Sequence, residues 1–146
     1  MFKFSLEAVL KHRQIREESA ARELSEVTER LLQITENLKR LQIVQRDEQI
    51  VSQEALEVGV PVAEMELSRF REVKLMHEIN ALMQLSRDTE TERLNKEEAL
   101  LACVKDRRLL ERVREEHLLA YKQKNEKLEL RSLDEIAIIR AARLKK

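Results

Sequence analysis

Residues 56–64 read Leu-Glu-Val-Gly-Val-Pro-Val-Ala-Glu, and they contain the one glycine, Gly59, and the one proline, Pro61, of a 146-residue chain. Pro61 removes a backbone donor and disfavours helix at the residue before it, while Gly59 can take positive φ and close a preceding helix. One helix is therefore expected to stop near residue 57 and another to begin near 62–64. A single break of this kind leaves two arms, about 5–57 and about 63–143, joined by a turn at about 58–63, and a short connection makes such helices antiparallel neighbours. The predicted fold is all-α: one long two-helix antiparallel coiled-coil hairpin over residues 1–146, with a protruding C-terminal helix.

Composition supports the same class. Charged residues make up 38%, apolar residues 42% and aromatic residues 3%, without tryptophan. Sandwiches, barrels and dinucleotide-binding α/β folds need many turns, and turns use Gly, Pro, Asn and Asp for the backbone angles they supply. A rounded core of this length usually includes large aromatics, yet only Phe2, Phe4, Phe70 and Tyr121 are present. Leu, Glu, Arg, Lys and Ala with few breakers are the composition of long helices.

Periodicity organises the first arm. Steps of four and three from Leu6 reach Leu10, Arg13, Glu17, Ala20, Leu24, Val27, Leu31, Ile34, Leu38, Leu41, Gln45 and Glu48, unbroken and apolar from Ala20 to Leu41. A 3-4 repeat sustained that long places a narrow seam along a helix, the condition for coiled-coil packing. Between seam positions, Glu18, Arg22, Glu26 and Arg30 alternate in sign at four-residue spacing, as on a solvated face. The second arm is less regular. Phe70, Val73, Leu75, Met76, Ile79, Leu82, Met83 and Leu85 form a broad apolar face near the turn, but Ser86–Lys105 fits no single heptad register. Either the seam drifts around the helix there or the stretch is looser.

Arm length carries a functional argument. With the turn near residue 60, residue 5 falls opposite about residue 115, leaving roughly 30 residues without an intrachain partner and projecting about 40 Å. That overhang contains Leu128, Leu130 and Leu133, then Ile136-Ala-Ile-Ile-Arg-Ala-Ala-Arg-Leu144, apolar around most of its circumference. Such a helix expects to be enclosed, and Phe2, Phe4, Leu6, Val9 and Leu10 add apolar surface nearby. The surface of another protein is the expected cover, with a frayed terminus or a self-association contact as alternatives. Charge is balanced, 28 basic against 28 acidic, but residues 1–16 and 121–146 together carry +7 and residues 17–120 carry −7.

Chemistry is sparse. His12, His77 and His117 have no carboxylate, His or Cys at i±3 or i±4, so no metal site is expected within a helix. Cys103 lacks a helix N-terminus to lower its pKa, and its expected role is a small, partly buried side chain. There is no glycine-rich phosphate loop and no scaffold for a catalytic trio, so neither an enzyme nor a cofactor is expected. Acidic residues interrupt the C-terminal basic residues, which argues against nucleic acid. The absence of a secretory signal, of an 18-residue apolar run and of a second cysteine predicts a cytoplasmic protein.

The termini carry a resemblance. Phe2-Lys-Phe4-Ser-Leu6-Glu7-Ala-Val9-Leu10, with Glu17, Glu18 and Ala20-Ala21-Arg22-Glu23-Leu24 behind it, resembles the opening of the flagellar FliJ family. Leu133-Asp134-Glu135-Ile136-Ala137-Ile-Ile-Arg140 is similar to that family's C-terminal signature, and length and the central break agree. The resemblance implies a cytoplasmic, non-enzymatic stalk of the flagellar type III export apparatus, held at the inner membrane's cytoplasmic face only through its partners. Its paired termini would enter the hexameric export ATPase, promote ring assembly, and couple the ring to the cytoplasmic domain of the export-gate membrane protein. Export chaperones are further implied partners. The matched ring-contact positions are Phe4, Leu6, Glu7, Val9 and Leu10, with Leu133, Asp134, Glu135, Ile136, Ala137 and Arg140. Some relatives present aromatics near the turn for the gate; here Phe70 is the exception, and the gate set is Leu38, Leu41, Val44 and Phe70, of which all four also suit seam packing. The alternative is a structural coiled-coil protein whose arms associate between chains.

Overall fold

The structure, a computed structural model, describes residues 1–145. Two helices account for nearly all of them: α1, Glu7–Val58, and α2, Val62–Leu144. No strand occurs among the described residues, and the helices pack against each other as a hairpin.

Backbone chemistry at the turn explains the reversal. Gly59 has φ of 85°, and its N–H donates to the Ala55 carbonyl at 3.0 Å. This is the left-handed residue that closes a helix by capping a carbonyl in the last turn. Pro61 then starts α2: its carbonyl accepts from the N–H groups of Glu64 and Met65 at 3.0 and 3.2 Å, and its missing N–H costs nothing at a helix start.

Contacts group into two units, each built from both helices: Ser19–Leu100, and Met1–Glu18 with Leu101–Lys146. In the first unit, α1 turns Ala20, Leu24, Val27, Leu31, Ile34, Leu38, Leu41, Gln45 and Glu48 inward as buried or half-buried side chains. Opposite, α2 supplies Ser68, Glu72, Leu75, Ile79, Leu82, Ser86, Thr89, Arg93, Lys96 and Leu100. Antiparallel pairing is fixed by the Ser52–Ser68 hydroxyl pair at 3.1 Å and the ion pairs Arg30–Glu92 and Lys96–Glu23, each 2.9 Å. In the second unit, Leu10, Arg13 and Glu17 face the level of Cys103, Arg107 and Leu110. The Arg13 guanidinium donates to the Asp106 carbonyl at 2.9 Å, and Arg107 bridges Glu17 and Glu111.

Three expectations are refined. The α2 seam does not drift: Ser86, Thr89, Arg93, Lys96, Leu100, Cys103 and Arg107 continue the same 3-4 stepping. Polar and long-stemmed residues occupy those positions, so the repeat exists without an apolar signature, Arg and Lys packing through their methylene stems. Thr89 is buried because its hydroxyl donates to the Leu85 carbonyl at 2.7 Å. Leu6 lies off the seam: α1 begins one residue later, and Phe4 is buried there instead.

The overhang is also shorter than expected. Phe2 and Phe4 extend along α2 ahead of α1, so the stretch without intrachain cover shrinks from roughly 30 residues to the described residues beyond Asn125, about 30 Å of helix.

The core is thin. Buried apolar side chains among the described residues are Phe4, Leu10, Val27, Leu75, Ile79 and Leu110. Accessible surface is 12328 Å², against about 7,800 Å² for a compact protein of this mass.

Candidate protein-interaction surfaces

At the N-terminal segment, aromatic contacts hold the chain onto α2. The Phe2 ring lies 5.4 Å from Tyr121, and the Phe4 ring meets His117 edge-on at 5.7 Å. Such tilted and edge-on geometries bring a positive ring edge to a negative face. Hydrogen bonding with the Met1 ammonium and with Asn125 holds the Tyr121 hydroxyl below its ordinary pKa. Glu7 pairs with Arg114 at 3.3 Å. Two expected ring-contact residues, Phe4 and Leu10, are thereby buried within the hairpin; Leu6, Glu7 and Val9 remain exposed.

Beyond Asn125, α2 continues with every described residue exposed. Leu128, Leu130, Leu133, Ile136, Ile138, Ile139 and Leu144 are each about half exposed or more. At roughly 100° per residue they point around the whole circumference. Leu133, Asp134, Glu135, Ile136, Ala137 and Arg140 all stand on this segment. The structure does not bring them beside Phe4–Leu10: Leu133 lies 16 residues beyond His117, about 24 Å along the helix.

Of the gate set, Leu38 and Leu41 are half-buried in the seam, whereas Val44 is 40% and Phe70 68% exposed. Phe70 belongs to a stripe with Val73 and Met76 at three-residue spacing, each at least half exposed. Leu75 and Ile79 of the expected broad face turn inward instead.

Sequence reasoning missed one feature beside the turn. A cleft of about 840 Å³ opens there, lined by Val51, Ala55, Leu56, Val62, Met65 and Leu67, with Glu48, Glu64, Glu66 and Glu72 among its polar lining. The available signal was the run of Val and Leu between 50 and 67 that no heptad position required.

Among the described residues no group of three or more His, Cys, Asp or Glu side chains is placed to hold a metal, and no helix is long and apolar enough to cross a membrane. The fold and its surfaces define a helical hairpin that leaves many large apolar side chains exposed. The family model described as Flagellar FliJ protein matches residues 2–146, and the chain belongs to that family. It is accordingly a structural component of the flagellar export apparatus. No curated protein and no solved structure matches the chain significantly.

Proposed function

We propose that this chain is a non-enzymatic coupling stalk of the flagellar export apparatus, working in the cytoplasm. The observation that carries the reading is the unpartnered helix beyond Asn125, with exposed apolar side chains distributed around it and long enough, at about 30 Å, to be sheathed by a ring-shaped partner. In this reading the segment enters the hexameric export ATPase, with Leu133, Ile136, Ala137 and Arg140 against the ring wall and Leu6, Glu7 and Val9 at its mouth. Val44 and Phe70 serve the export-gate membrane protein's cytoplasmic domain, and export chaperones bind elsewhere on the hairpin. The alternative, arms that pair only between chains, is disfavoured by the intrachain Arg30–Glu92 and Ser52–Ser68 contacts. The test is truncation after Leu128: stimulation of the cognate ATPase is lost while most helicity by circular dichroism remains. Full stimulation by the truncated chain would refute the ring assignment.

A further inference from the structure

The turn-proximal cleft and the exposed end of α2 match each other in chemistry. The cleft walls are apolar and accessible: Val51, Leu56, Val62 and Leu67 are all more than half exposed. Residues 47–78 carry eight carboxylates against three basic side chains, and four of those carboxylates line the cleft beside Arg69 and Arg71, which leaves its lining net acidic. After Glu135 the chain has no further acidic residue, and α2 presents Arg140 and Arg143 among Ile136, Ile138, Ile139 and Leu144, with Lys145 directly after it. One surface is an acidic apolar groove; the other is a basic apolar helix. Grooves of that kind take a helix through apolar anchors at i, i+3, i+4 and i+7, and charge complementarity selects the partner and its orientation.

We propose that the cleft receives the C-terminal segment, residues 136–145, of a second copy of this chain. Charge decides between the two ways a second copy can cover the segment. Two such segments laid together would oppose like charges, whereas segment into cleft brings Arg140, Arg143 and Lys145 of one copy toward the acidic lining of another. The contact is heterologous, so each added copy leaves one free cleft and one free segment, and association continues head to tail unless it is capped. It also withdraws the segment from any other partner, so a sheathing ring competes with it. The inference goes beyond the proposed coupling role and does not depend on it.

The test uses the chain alone. Sedimentation velocity at about 100 μM in low salt shows concentration-dependent association, weakened at least about tenfold near 0.5 M salt, where screening shortens the reach of charge. Two full-length variants separate the surfaces: Leu56→Lys with Leu67→Lys in the cleft, and Ile136→Asp with Ile139→Asp in the segment. All four side chains are about half exposed or more, so both variants keep wild-type helicity. Each variant alone is monomeric, and an equimolar mixture forms a 1:1 dimer that grows no further, because one intact segment meets one intact cleft. A second segment variant, Arg140→Glu with Arg143→Glu, also loses self-association while keeping its apolar residues. A monomeric wild-type chain, a cleft variant that associates like wild type, or a mixture that stays monomeric each overturns the proposal.

Discussion

At the scale of single residues, burial separates positions that hold the hairpin from positions that contribute nothing to it. Leu10 is 3% exposed and Ile138 67%. Leu10→Ala is expected to lower unfolding free energy by about 2–4 kcal/mol through lost transfer energy and a residual cavity, whereas Ile138→Ala changes it by less than about 0.5 kcal/mol. Paired urea titrations check this, and equal losses would mean that the segment packs against its own chain. Glu90 supplies the pH dependence. A hydrogen bond from Arg93 at 2.6 Å, opposed by desolvation and aided by the guanidinium charge, lowers its pKa below the ordinary carboxylate value. The folded state therefore favours the ionised form, and the stabilisation is present above the unfolded carboxylate pKa and lost as pH falls through the folded one. Thermal melts at about pH 7 and about pH 3 should show a smaller acid-induced loss in Glu90→Gln than in wild type. Because the Glu90 carboxylate and the Arg93 guanidinium both remain in reach of solvent, the difference is small and shrinks with salt.

At the scale of elements, the turn tests how far one residue controls chain reversal. A methyl group at Gly59 would meet nothing within 4 Å, so any cost of Gly59→Ala comes from its left-handed backbone and not from a clash. A loss of about 1–2 kcal/mol is expected, read by thermal denaturation; no loss would mean that the turn relaxes into another conformation. The elements also show where sequence reasoning succeeded. On α1 every expected position from Leu10 to Glu48 is buried or half-buried, because apolar residues mark that seam over most of its length. On α2 the seam was illegible through Ser86–Lys105. Its inward positions there are Ser86, Thr89, Arg93, Lys96, Leu100, Cys103 and Arg107, and hydropathy does not count an arginine's aliphatic stem or a threonine bonded to its own helix as packing surface.

At the scale of the whole molecule, stability rests on few groups. Burial is distributed along a seam in which no side chain is less than 2% exposed, and many large apolar side chains stay exposed. The segment beyond Asn125 is exposed throughout and has only its own helical hydrogen bonds, without the tertiary packing that supplies most helical stability in proteins. Amide exchange of residues 128–143 is therefore expected to be the fastest within α2, while Leu75–Ile79 and Leu110 exchange slowest. Uniform protection along α2 would show that the segment is covered already in the isolated chain. Of the interaction surfaces, the exposed C-terminal segment was legible because its apolar residues follow no seam. The cleft was not, since its lining joins residues of α1 and α2 that no pattern along one helix brings together.

The sequence by itself determined the helix content, the place of reversal and the α1 seam, because these follow from local backbone preference and from periodicity within one segment. Only the tertiary structure decided how far the N-terminal segment covers α2, which expected contact residues are consumed by packing, and that polar residues complete the α2 seam. Those outcomes depend on which side chains meet across the hairpin, as Phe4 meets His117 and Arg107 meets Glu17. Such meetings join residues about 90 or more positions apart, beyond the reach of any pattern read along one stretch of chain.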